Sequence, residues 1–143
     1  MPLTKLEHYL VLSNNIDATR DFYVEVLGMQ AGFRPPLGFP GHWVYIGDTP
    51  VIHIAEWPTY TAHSKAKGKH VSAQAEGTGP VDHIAFSAGD YDELDRRLAR
   101  LGVQPIRNDV PGGGPRQLFF DDPDGTRVEV NVTAPTTKEG ADE

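Results

Sequence analysis

His8, His53, His83 and Glu129 are the side chains of this sequence whose types and spacing could do chemistry together. His8 and His53 lie 45 residues apart, and His83 and Glu129 lie 46 apart. Asp48 precedes His53 by five residues as Asp124 precedes Glu129 by five, while Gly28 follows His8 by 20 and Gly102 follows His83 by 19. Matched intervals of this kind read as two copies of one unit, with His8 equivalent to His83 and His53 equivalent to Glu129. Taken singly, each histidine reads as a hydrogen-bonded strand residue and Glu129 as a cross-strand partner of an arginine. Gathered on one concave face, three imidazoles and a carboxylate suit a divalent transition metal: Fe, Ni, Zn, Co or Mn. The chain has no cysteine, which argues against a closed structural zinc site and leaves coordination positions open for water or substrate.

The elements that must position these groups can be read from side-chain period. Residues 5–12 alternate as a strand, with Leu6, His8, Leu10 and Leu12 on one face and Tyr9 and Val11 on the other. Asn14 and Asn15 are capping residues for a helix whose stripe is Ile16, Phe22, Tyr23, Val26 and Leu27, and Gly28 closes it. A short strand over 29–33, a Pro/Gly loop, a strand over 42–47, a turn at 48–50 and a strand over 51–55 complete a β-α-β-β-β unit. The order then repeats. A strand over 81–87 leads to a helix opened by Asp90 and Glu93, striped by Leu94, Leu98 and Leu101 and closed by Gly102. Strands over 103–107, 116–120 and 126–132 follow. In the last of these Val128, Val130 and Val132 share the buried face and Arg127, Glu129 and Asn131 the opposite one, directly after the turn Asp122, Pro123, Asp124 and Gly125.

The expected organisation is one α+β domain over 1–143, with a first βαβββ module at 5–56 and a second at 80–132. Residues 57–79 lack a sustained period and read as a loop or lid. Residues 133–143 read as a disordered tail. A chain of 143 residues can bury roughly 70% of its unfolded surface without disulfides. Its lack of cysteine fits a reducing cytoplasm, and its start shows no cleavage-site pattern or long apolar span, so a cytoplasmic protein with no membrane partner is expected. With 13 Lys and Arg against 20 Asp and Glu the net charge is −7; no basic patch is interleaved with aromatics, which excludes nucleic acid as an expected partner. His42, His63 and His70 do not fit the repeat and read as solvated loop or loop-edge residues.

The segments LEHYLVL, DATRDFYVEVLGM, VDHIAF and LFFDDPDGTRVEV together resemble the vicinal oxygen chelate (VOC) superfamily, which includes glyoxalase I, fosfomycin-resistance proteins, methylmalonyl-CoA epimerase, extradiol dioxygenases and bleomycin-resistance proteins. The resemblance spans about residues 5–132. It implies paired modules forming a curved mixed sheet around a central metal, with the substrate chelating through two adjacent oxygens. His8, His83 and Glu129 match the three commonest ligand positions. His53 stands at the fourth, where glyoxalase I usually carries Glu and the epimerase Gln. In extradiol enzymes a histidine on the corresponding strand works as an acid/base beside the metal, but their Tyr ten residues before the ligand Glu is Phe119 here.

Three functions follow as expectations. The first is a metal-dependent lyase or isomerase of glyoxalase type acting on a small molecule through an enediolate, with Glu129 or His53 carrying the proton. The second is an Fe(II)-dependent dioxygenase that uses His8, His83 and Glu129 as its facial triad and His53 as acid/base. The third is a non-catalytic small-molecule binding or resistance protein whose histidines line an apolar site with Trp43 and Phe119. Arg116 is the expected receptor for a substrate carboxylate or phosphate, while Arg34 and Arg107 read as solubilising surface residues. A homodimer is expected, with the site closed within one chain or exchanged between two.

Overall fold

The computed structural model describes residues 2–70 and 77–133. Its elements in chain order are β1 (Tyr9–Ser13), α1 (Ile16–Leu27), β2 (Gln30–Gly32), β3 (Gly41–Ile46), β4 (Thr49–Glu56), α2 (Trp57–Ala66), β5 (Ile84–Ala88), α3 (Tyr91–Arg100), β6 (Ile106–Asp109), β7 (Arg116–Asp121) and β8 (Arg127–Val132). Two four-stranded mixed sheets result, ordered β1-β4-β3-β2 and β5-β8-β7-β6. The first and last strands of each module pair in parallel and the remaining pairs are antiparallel. The α+β class and the doubled βαβββ order are thus as expected. Among the described residues no helix is long and apolar enough to cross a membrane.

The chain divides into two compact units. The first contains β1 to β4, α1 and α2 together with the segment Asp122–Thr126; the second contains the other strands and α3. In the first, Asn15 caps α1 by accepting from the Ala18 N–H, and Gly28 ends it at φ 70°, a left-handed conformation that glycine adopts without a Cβ clash. Thr19, Tyr23 and Val26 turn inward onto Val11, Ser13, Val44, Ile52 and Ile54, all of them buried. In the second, Asp90 caps α3 through the Glu93 N–H. Leu94 and Leu98 are buried, as are Leu118, Phe120, Val128, Val130 and Val132 on the inner face of the sheet. Leu101, expected on the same stripe, is exposed, because the helix has ended one residue earlier.

Two sequence expectations need correction here. The stretch at 57–79 is not simply a loop, since its first ten residues form α2. This helix is stabilised from outside rather than by an apolar stripe. Pro58 occupies its first turn, where a missing N–H costs nothing, Thr59 bonds Glu56, and Tyr60 and His63 set their rings against Phe39. Residues 71–76 and the tail from 134 onward lie outside the described residues. The first strands are also shorter than the sequence suggests: β1 begins at Tyr9 and β5 at Ile84, so His8 and His83 each stand one residue ahead of a strand.

Candidate metal centre

The first unit brings His8 and His53 together. His53 lies on β4 between Leu10 of β1 and Trp43 of β3 in the strand register. Its ring is sandwiched, with the His8 ring at 3.6 Å and 12° on one side and the Trp43 ring at 4.1 Å and 10° on the other. Burial lowers the His53 pKa, and a positive charge on His8 would add to this, so the ring favours its neutral form; a hydrogen bond to the Pro50 backbone opposes the shift. One ring nitrogen is thereby tied and the other left as a lone pair. His8 is held in a similar way, its Nδ1 lying 3.0 Å from Glu7 Oε1. A carboxylate only accepts, so Nδ1 carries a proton and Nε2 is the ring atom not engaged by Glu7.

The second unit repeats this with a carboxylate. Glu129 on β8 lies between Ala85 of β5 and Phe119 of β7, equivalent to His53 between Leu10 and Trp43. His83 Nδ1 meets Asp82 Oδ2 at 2.8 Å, and Arg127 also reaches that carboxylate. His83 Nε2 then faces Glu129 Oε1 at 3.5 Å. Glu129 is almost buried, with a side chain 12% exposed, and its second oxygen accepts from Asn131 Nδ2 at 2.7 Å. Behind it the amides form a row across three strands. Asn108 donates to Gln117, and Gln117 donates to Asn131, each pair being direct neighbours in the register. The row fixes the plane of the Glu129 carboxylate with Oε1 turned toward His83.

The chemistry of these donors suits a divalent metal. Each of the three histidines has one nitrogen occupied by a carboxylate or a carbonyl, the arrangement that orients metal-binding imidazoles. His83 Nε2 and Glu129 Oε1 are two lone-pair donors too far apart for a strong direct hydrogen bond, at a spacing that two ligands about 2.1 Å from one ion adopt. Among the described residues no group of three or more His, Cys, Asp and Glu gathers as a metal cluster; the four candidates stand as two pairs.

The other expected site residues fall out differently. Trp43 and Phe119 flank His53 and Glu129 as equivalent neighbours. Arg116 alternates onto the opposite face from Phe119, where its guanidinium lies 3.5 Å over the Tyr91 ring and 3.5 Å from Asp109. Arg107 is occupied by Asp95 and the Tyr91 hydroxyl. His42 is not a solvated loop residue but lies on β3, with Nε2 2.7 Å from Asp17. His63 lies on α2. The sequence reading overlooked Glu7, Asp82 and the Asn108, Gln117 and Asn131 row. An acid directly before the histidine in each module, and an amide two residues after Glu129 on its own face, were the signals available.

Fold and side chains together define a protein of paired βαβββ modules with imidazole and carboxylate groups on its sheet faces. Residues 5–130 match the family model described as the Glyoxalase/Bleomycin resistance protein/Dioxygenase superfamily, and the chain belongs to that family, bearing out the VOC resemblance. Among curated relatives, Glyoxylase I 4 of Arabidopsis thaliana is 34% identical over 137 residues, covering 90% of this chain and 70% of the relative. Among solved structures, the lactoylglutathione lyase of Agrobacterium tumefaciens superposes with a TM-score of 0.69 at 20% identity, covering 92% of this chain and 95% of that one. A genomically encoded fosfomycin resistance protein from Listeria monocytogenes gives 0.67 at 19%, covering 93% and 96%.

Proposed function

We propose that this chain is a divalent-metal-dependent enzyme of the glyoxalase type, a lyase or isomerase that acts on a small molecule presenting two adjacent oxygens. The observation that carries this reading is the His83 and Glu129 pair, whose Nε2 and Oε1 face each other at 3.5 Å while their remaining polar atoms are tied off. His8, His83 and Glu129 would hold the ion, which when bound supplies Lewis acidity to the substrate oxygens. His53 then has a separate task. Its stacking between His8 and Trp43 holds a neutral imidazole with one bare nitrogen, suited to taking a proton from one substrate carbon and returning it to the next.

The same sandwich favours one alternative, an Fe(II)-dependent dioxygenase with His53 as acid/base. Metal analysis of the purified protein, followed by reconstitution, separates the two. Turnover of a hemithioacetal with Ni(II) or Co(II) is expected; oxygen uptake with a catechol seen only with Fe(II) would replace the lyase with the dioxygenase. Glu129→Ala should weaken metal binding by more than about a hundredfold, beyond what losing an outer partner costs, and equilibrium dialysis reads this directly. Parent-like affinity in a His8→Ala, Glu129→Ala double variant would remove the metal site altogether.

The working unit on this reading is a homodimer. The apolar side chains of Leu6, Val81 and Ile106 extend the faces that carry His8, His83 and Glu129 and are 93%, 59% and 71% exposed, surface that a second copy would cover. Sedimentation measures the assembly. Mixing His8→Ala with Glu129→Ala protein tests its consequence, because restored metal binding means that the two pairs come from different copies.

A further inference from the structure

We propose that Arg34 is the receptor for a carboxylate group on the substrate, held beside His53 on the open face of the first sheet. The inference rests on taking that face as the substrate face, and it comes from setting the two modules in register. In the second module the row next to Glu129 is Asn131, Gln117 and Asn108 on β8, β7 and β6. The row next to His53 in the first module is Ala55 on β4 and Gly41 on β3. Continuing the pairing of Gly32 with Trp43 by two residues sets Arg34 opposite Gly41, where Asn108 stands opposite Gln117.

The two rows are filled in different ways. Each amide of the second row donates to the next acceptor and the last meets Glu129. In the first row the two middle side chains are absent or a methyl, and one guanidinium lies across the space. A Cβ on Gly41 would meet the Ile54 carbonyl oxygen and would also fall 3.0 Å from Arg34 Nη2 and 3.1 Å from its central carbon, so glycine leaves room for the carbonyl and the guanidinium together.

What this row lacks is an acceptor. Arg34 Nη2 donates to the Phe39 carbonyl at 2.8 Å, and the Phe39 ring lies 5.0 Å from the guanidinium. Nε is buried with no hydrogen-bond partner, and no carboxylate pairs with Arg34 among the described residues. Arg20, Arg97, Arg107, Arg116 and Arg127 each have a carboxylate within 4.0 Å, while Arg96 and Arg100, for which no carboxylate among the described residues is that close, are exposed on α3. A half-buried planar fork of donors without an anion, in the row adjoining His53 and Trp43, is built for a carboxylate. The substrate class that follows is a small organic acid whose carboxylate docks on Arg34 while its apolar part lies against Trp43.

Trp43 supplies the test. In a Trp57→Phe background it is the sole tryptophan, and metal-free protein at fixed ionic strength can be titrated with phenylacetate, phenylacetamide and phenylphosphonate. Phenylacetate should give a saturable fluorescence change and the neutral amide none. Arg34→Gln should weaken phenylacetate by about tenfold or more, and Arg34→Lys, which keeps charge without the fork, by less; circular dichroism checks that both variants fold. Absence of a saturable phenylacetate response in the parent, equal binding of acid and amide, or parent-like binding by Arg34→Gln would overturn the proposal, and tighter binding of phenylphosphonate would overturn the carboxylate assignment. Ni(II) dialysis on the same proteins is read separately. If Ni(II) fails to bind while the phenylacetate response is intact, the metal reading falls and Arg34 stands; Ni(II) binding without that response gives the reverse.

Discussion

The two modules share strand order and register, yet their inner faces are made of different chemistry. Tyr9, Ser13, Thr19 and Tyr23 of the first occupy the positions of Ile84, Ala88, Leu94 and Leu98 in the second, each set falling 1, 5, 11 and 15 residues after its leading histidine. The helix α3 buries only two leucines, Leu94 and Leu98. The first module carries hydroxyls at these four positions, and each of the four has a partner: Ser13 and Thr19 bond each other at 2.9 Å, Thr19 donates to Asp124, and Tyr9 donates to Tyr23, which donates to Asp122 at 2.7 Å. Asp122, 5% exposed, also accepts the backbone N–H groups of Asp124 and Thr126. Buried hydroxyls stabilise only when satisfied. The first module therefore binds the turn Asp122–Thr126 as part of its own interior, and that turn leads directly into the strand bearing Glu129. Its counterpart at the equivalent turn of the first module is Ile46, which is 51% exposed.

The contrast predicts graded effects. Leu98→Ala, which opens a cavity in an all-apolar layer, should cost about 2–5 kcal/mol by urea denaturation, whereas Leu101→Ala on the exposed side should stay within about 0.5 kcal/mol. Tyr23→Phe removes only a hydroxyl but strands one oxygen of Asp122, and about 1–3 kcal/mol is expected. A negligible loss there would mean that the two helices differ in residue type but not in energetics. The smallest effect is one of pH. Burial raises the Asp122 pKa, and its hydrogen bonds to Tyr23, Thr126 and Asp124 counter this only in part. The folded state therefore holds that proton more tightly than the unfolded chain. The associated stability is complete below the ordinary carboxylate range and is lost as pH rises through the raised value. Asp122→Asn lacks this titration, so its Tm relative to the parent should be more favourable at about pH 7 than at about pH 4. An unchanged difference across that range would show that the hydrogen bonds fully offset desolvation, and a reversed one that they outweigh it.

Where the period was strong, the chain could be read directly. Asn15 and Gly28 bracket α1, Asp90 opens α3, and the alternation around Glu129 put Val128, Val130 and Val132 inside, as observed. The helix α2 was not legible, because Pro58, Thr59, Ser64 and the lysines carry no apolar stripe and the helix depends on contacts with Glu56 and Phe39. Arginine roles were the least legible. Arg116 was expected to receive the substrate and is spent on Tyr91 and Asp109, while Arg34, taken for a solubilising residue, is half-buried at a sheet face with no carboxylate partner among the described residues. Charge type is visible in a sequence, but whether a charge is already neutralised depends on residues brought close by folding.

The sequence alone determined the doubled module and the equivalence of His8 with His83 and of His53 with Glu129, because side-chain period and residue intervals are local properties of the chain. It also determined the family. Tertiary structure alone decided how those groups are held: the ring sandwich around His53, the acid behind each leading histidine, the amide row behind Glu129 and the space over Gly41 filled by Arg34. These depend on which strands lie side by side and in what register, and hydrogen bonds and ring contacts act only over a few ångströms.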